Sequence, residues 1–173
     1  MAIRLYDASI PTYLQTLRAM SGVLDKGLAH ARESGVNPEE IVEHQLAPDM
    51  RPFRFQVQSI AFHSAGAIQA LRSGALNMAG QRPAHTYEEL QQLVKDTCAE
   101  LEAIPAEAID AREGQEVVFN TPRGAMLFTA EEFLLSFSLP NFYFHATTAY
   151  DILRSRGTPI GKLDFMGRLR LKV

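Results

Sequence analysis

Apolar residues recur every three and four positions through four long stretches of this chain, and no other feature constrains the fold as strongly. The first stretch runs from about Ser9 to Ser34, with Pro11 suited to a first turn and Gly35 to a stop. Its seam is Leu14, Leu17, Ser21, Leu24, Leu28 and Ala31. A short helix is expected next, capped by Asn37 with Pro38 at its first position and Glu40 three residues after the cap. The second stretch, near Pro52 to Gly74, presents Phe53, Val57, Ile60, Ala61, Ala67, Ile68 and Leu71 on one face, with His63 on its flank. The third opens with a capping box, Thr86 to Glu89, continues through Leu90, Val94, Thr97, Leu101 and Ile104, and is limited by Pro105. The fourth opens with a second box, Thr129 to Glu132, and ends at Gly157 and Pro159.

Residues 114–129 break the rhythm. Val117–Phe119 and Met126–Phe128 are strand-like runs, and turn-forming residues 120–124 lie between them, which predicts a short β-hairpin. The expected architecture is therefore a single all-α domain over 1–173, a four-helix bundle with a hairpin between its third and fourth helices. Pro140 should kink the fourth helix, because it lacks an N–H and clashes with the preceding turn.

Charge and cysteine content narrow the function. The net charge of −3 argues against nucleic acid as a partner, since phosphate binding needs a surplus of Lys and Arg on one face. Lys162, Arg168, Arg170 and Lys172 form one basic cluster, read as a solvated tail. A lone cysteine, Cys98, excludes an internal disulfide and paired-cysteine zinc motifs, and reads as a small buried hydrophobe. No secretory signal and no apolar run of bilayer-spanning length is present, so a cytoplasmic setting and no membrane partner are expected.

The residues that could carry chemistry converge on the fourth stretch. Taking Phe142 as the centre of its apolar arc, Leu135, Leu139, Ala146, Ala149 and Leu153 cluster around it, and Leu134, His145 and Ile152 form one shoulder. Asn141 and His145, four apart, share a face. A ring nitrogen in an apolar arc must find a partner, because burying it unpaired costs roughly 1–3 kcal/mol. His63 on the second helix and His145 on the fourth can meet inside a bundle at similar depth. As metal ligands they would be joined by Asn141, a set one short of the three nitrogen or sulfur ligands of a catalytic zinc site. As metal-free groups they would be hydrogen-bonded core residues or would line a small-molecule pocket.

Tyr143, Tyr150, Asp49 and Asp151 are lesser pocket candidates, and Asp49 also suits helix capping. His30, His44 and His85 read as solvated. Three acid pairs, Glu39-Glu40, Glu88-Glu89 and Glu131-Glu132, fall in first turns, where the helix dipole favours them and catalysis does not need them.

Four segments carry a resemblance: Leu5-Tyr-Asp-Ala-Ser-Ile-Pro, Leu46-Ala-Pro-Asp-Met, Leu139 to Arg154, and Gly157-Thr-Pro-Ile-Gly-Lys-Leu-Asp-Phe-Met-Gly. Over about residues 2–167 the chain resembles the bacterial domain-of-unknown-function family nineteen-ninety-three, placed in the DinB/YfiT-like superfamily of metalloenzyme-type proteins. The resemblance implies an up-down-down-up four-helix bundle, often a homodimer. In the wider superfamily three histidines bind a divalent metal, one on the second helix and two, four apart, on the fourth, and some members are thiol-dependent transferases. His63 stands for the second-helix ligand and His145 for one of the fourth-helix pair. Asn141 occupies the position four before His145 and Ala149 the position four after it, so the three-histidine pattern is incomplete.

Three functions remain open at this point. One is a bundle with a degenerate metal site and a polar pocket lined by His63 and His145. Another is a hydrolase or thiol-dependent transferase using zinc, nickel or iron. The last is a non-catalytic dimeric structural module.

Overall fold

The computed structural model describes residues 3–78 and 80–172. Helix α1 spans Leu5–Glu33, α2 Pro38–Val42, α3 Phe53–Ala61 and α4 Ala67–Ser73, with a π-helical turn at Phe62–Gly66 joining α3 to α4. Strand β1 is Ala75–Asn77. Helices α5, Tyr87–Glu102, and α6, Ala106–Asp110, precede strands β2, Glu116–Thr121, and β3, Gly124–Thr129. Helix α7, Ala130–Glu132, runs through a second π-helical turn, Phe133–Ser138, into α8, Leu139–Ser155, and α9 is Lys162–Met166. The molecule is thus mostly helical with one small sheet.

The seams read from sequence point inward. Leu17, Leu24, Ile60, Ile68, Leu90, Val94 and Phe142 are fully buried in one continuous apolar cluster. Helix α1 packs on α5, α3 packs on both α5 and α8, and α1 also touches α8. The approach of α1 to α5 and α8 is close at Gly27, where an added Cβ would collide with the Tyr87 hydroxyl and crowd Leu153. That hydroxyl donates to the Leu24 carbonyl at 3.0 Å.

Local signals account for several ends. Thr86 and Glu89 form a reciprocal capping box at 3.2 and 2.8 Å. The Asn37 side chain accepts from the Glu39 N–H at 3.1 Å. Thr129 accepts from the Glu132 N–H at 3.3 Å, while its neighbour Glu131 reaches away to accept from the Gly114 N–H at 2.7 Å.

Three expectations are corrected. Helix α1 begins at Leu5, so Pro11 lies inside the helix rather than in its first turn. The early start is supported by tertiary contact, because Asp110 accepts from the Tyr6 N–H at 2.9 Å and so satisfies a free first-turn donor. The hairpin of β2 and β3 exists, with Glu116 opposite Thr129 and Thr121 opposite Gly124, but it is part of a three-stranded sheet. Left-handed Gly74 (φ 83°) ends α4 and turns the chain into β1, which pairs in parallel with β2, Leu76 opposite Phe119. Leu135, expected in the apolar arc, is 56% exposed, whereas Phe133 and Leu134 are fully buried. The π turn inserts an extra residue, so the helical face before Pro140 is rotated relative to the face after it.

Candidate functional site

Both π turns lie where α3 and α8 face each other, and each carries part of the site. In a π turn the backbone carbonyls lose their ordinary partner four residues on. The freed His63 carbonyl accepts from the Ser138 hydroxyl at 2.6 Å, and Ser138 in turn accepts from the Tyr13 hydroxyl at 2.7 Å. Tyr13 and Ser138 are fully buried, so this relay ties α1, the first π turn and the second π turn together. The expected Pro140 kink takes the form of the second π turn: Pro140 has no N–H to return to the preceding turn, and the helix widens just ahead of it.

His63 leaves the first π turn only 7% exposed. Its ring lies 5.6 Å from that of His145, centroid to centroid, with the planes 14° apart. Phe62 and Phe137 meet His63 edge-on, and Phe55 and Phe144 meet His145 in the same way. Gln56 fixes the His145 ring. Its Nε2 donates to the Arg51 carbonyl at 2.7 Å, which leaves Oε1 facing His145 Nδ1 at 2.7 Å. His145 Nδ1 therefore carries the hydrogen, and its Nε2 holds a lone pair. His63 Nδ1, by contrast, is buried with no hydrogen-bond partner among the described residues. Burial, then the charge of a protonated His145, then that of Arg82 push the His63 imidazole down to about 3. Burial, followed by Arg82, pushes His145 down to about 4. Both rings are neutral at physiological pH.

Beside His63 opens a cleft of about 590 Å³, a volume within the range of small-molecule sites. Phe55 and Phe62 line it from α3 and the first π turn, Phe119 from β2, and Phe137 from the second π turn. Phe119 and Phe137 touch at 4.8 Å, so the sheet and the widened helix build one wall together. Asn141 lines the cleft while its Nδ2 donates to the Phe137 carbonyl at 2.7 Å. Arg51, Arg54 and Arg82 bring cationic groups to the rim.

The candidates thus separate. His63, His145 and Asn141 come together. Tyr143 is 39% exposed with its ring against Phe142, Tyr150 packs on Phe165, and Asp49 lies exposed in a turn; none of the three lines the cleft. Asp49 does not cap α3 either, whose N-terminus has no side-chain cap. His85, expected to be solvated, accepts at Nδ1 from Gln58 Nε2 at 2.8 Å. Cys98 is half-buried against the core rather than fully enclosed. Gln56 was legible but passed over: it precedes His63 by two helical turns and so shares its face. Nothing in the pattern marks Arg82, which reaches the site from a loop.

The superfamily's metal can be tested against these donors, and they do not fit it. Among the described residues no three His, Cys, Asp or Glu side chains gather as a metal-binding group. Asn141, at the third position, gives its Nδ2 to the Phe137 carbonyl and offers only a neutral amide oxygen, not the nitrogen or sulfur that a catalytic zinc site uses. Arg82, whose charge already opposes protonation of both imidazoles, opposes any other cation at the same place. No catalytic step through a metal follows from this arrangement.

The comparisons agree with the fold. The model of a domain of unknown function, DUF1993, matches residues 5–166. A solved structure, described as a DinB family member protein from Shewanella denitrificans, is similar at 27% identity with a TM-score of 0.80, covering 98% of this chain and 95% of that one. No curated protein matches. Among the described residues no helix is long and apolar enough to cross a membrane.

Proposed function

The chain belongs to the DUF1993 family with a DinB-like fold, and we propose that it is a binding protein whose superfamily metal site has become a metal-free polar pocket, with His63 in its lining and His145 stacked on His63 without itself lining the cleft. The helices would serve as an up-down-down-up four-helix scaffold, with the π turns setting the pocket between the second and fourth rods. The observation that carries this reading is the set of groups itself: two neutral imidazoles, one held by Gln56, an amide at the third ligand position, and the Arg82 guanidinium lining the same cleft as His63. A polar floor under aromatic walls is what a small organic ligand requires, with few hydrogen-bonding groups fixing its orientation and apolar surface supplying affinity.

Metal analysis of protein purified without a nickel column tests this, together with thermal melting in added zinc, nickel or iron. The expected result is metal far below stoichiometric and no upward shift. A genuine site would add about 2.7 kcal/mol at a hundredfold excess over its Kd. Stoichiometric metal, lost equally in His63→Ala and His145→Ala, would overturn the reading.

We further propose that the chain forms a homodimer. Leu135 and Phe144, 56% and 57% exposed on the rod built from the second π turn and α8, support an apolar contact surface. Sedimentation equilibrium reports the mass directly, and a monomer at high concentration refutes it.

A further inference from the structure

The charges around the cleft are unbalanced. The protein as a whole carries −3, yet the three charged side chains lining this cleft are all arginines. Arg54 is neutralised by Glu43 at 2.6 Å. Arg51 and Arg82 have no carboxylate within ion-pair distance among the described residues.

Arg82 is also held in place. Its guanidinium lies 4.1 Å above the Phe55 ring and 5.7 Å from that of Phe62. Nη1 donates to the Phe55 carbonyl at 3.1 Å and to Ser59 Oγ at 2.8 Å. Nε and Nη2 make no hydrogen bond among the described residues, so the planar fork is oriented while part of it stays available. Arg51 stands on the same ring, 5.6 Å from the Phe55 centroid, with no hydrogen bond from its side chain among the described residues. A half-buried guanidinium without a counter-charge is costly, and a planar oxyanion matches its fork with two parallel hydrogen bonds.

We propose that the cleft recognises a small oxyanion, a carboxylate or phosphate monoester carried on a flat apolar body. Arg82 and Arg51 take the anionic group, and Phe55, Phe62, Phe119 and Phe137 take the body. This rests on the reading of the cleft as a ligand pocket and assigns the chemical class of what enters it. The fixed Arg82 loses little side-chain freedom on binding, which favours affinity.

Titration calorimetry at neutral pH and low ionic strength, with four probes built on one ring, tests the assignment: benzoate, phenyl phosphate, neutral benzamide and cationic benzamidine. Benzoate or phenyl phosphate should bind about tenfold or more tightly than benzamide, and benzamidine should not bind. The tighter of the two anions identifies the headgroup. Arg82→Gln should weaken the anion about a hundredfold and Arg51→Gln about tenfold, with benzamide unchanged. Arg51→Gln breaks no side-chain hydrogen bond among the described residues, so it keeps the test decisive if Arg82→Gln is unstable. Anions binding no tighter than benzamide, or binding the arginine variants equally well, overturn the proposal. If benzamide binds and the anions do not, the charge assignment falls while the pocket reading stands. If none of the four binds, both fall.

Discussion

The contact of α1 with α5 and the contact of α3 with α8 solve the same packing problem differently. Along α1 and α5 the seams are regular: Leu17, Leu24, Leu90 and Val94 are fully buried, and the Tyr87 hydroxyl is satisfied by a backbone carbonyl. The contact is apolar at its centre, with polar pairs such as Arg18 with Glu102 outside it, and Gly27 lets it close. Along α3 and α8 each rod is widened by a π turn, a stacked imidazole pair interrupts the aliphatic contact, and one buried ring nitrogen has no partner among the described residues. Regular geometry suffices where a protein only needs to hold together. Where polar groups must converge on a cleft, the helices depart from it, and the departure sacrifices some stability.

The strongest way to break this contrast is to spoil the regular contact. Gly27→Ala should destabilise by about 1–3 kcal/mol in urea denaturation, since the methyl meets the Tyr87 hydroxyl. Adding Tyr87→Phe should recover part of that loss, and a strictly additive double variant would contradict the close approach. Next is the relay between the π turns. Ser138→Ala strands the buried Tyr13 hydroxyl and the His63 carbonyl, and should cost about 1–3 kcal/mol. Hydrogen exchange should quicken in both π turns. Unchanged protection there would mean that the widened turns persist without the bridge.

Acid sharpens the comparison further. Between the ordinary imidazole value of 6.5 and about 4, the unfolded chain holds protons on His63 and His145 that the folded chain does not. Acidification through that window therefore favours unfolding, by at most about 1.4 kcal/mol per pH unit for each ring, and above it the contribution is flat. His63→Leu removes one ring from that balance and should flatten the slope. A steep slope retained in this variant would assign the effect elsewhere. The smallest effect belongs to Tyr150, whose hydroxyl reaches the Ile160 carbonyl at only 3.4 Å: Tyr150→Phe should stay within about 0.5 kcal/mol and leave ligand binding untouched.

The site was legible in sequence as far as helical periodicity carries. His63 and His145 stand out because a polar ring interrupts an apolar face, and Asn141 follows from its four-residue spacing to His145. Leu135 was misplaced because the pattern was extended at a constant turn through Pro140, whereas the chain inserts a π turn. Strand β1 was missed because three residues after a left-handed glycine carry too little alternation to register. Arg82 was missed because its place depends on the faces of Phe55 and Phe62 and on the Phe55 carbonyl, none of them near it in sequence.

Taken alone, the sequence determined the helical rods, their inward faces, the capping box at Thr86 and the turn between β2 and β3. Those depend on interactions within a few residues, and short-range chemistry is written locally. Tertiary structure alone decided that α1 begins at Leu5, because Asp110 receives a first-turn donor, and that β1 joins the hairpin as a third strand. It also decided that the Arg82 guanidinium lines the same cleft as His63 and Asn141. Each of these pairs groups from distant parts of the chain, and their distance and orientation exist only once the core has packed.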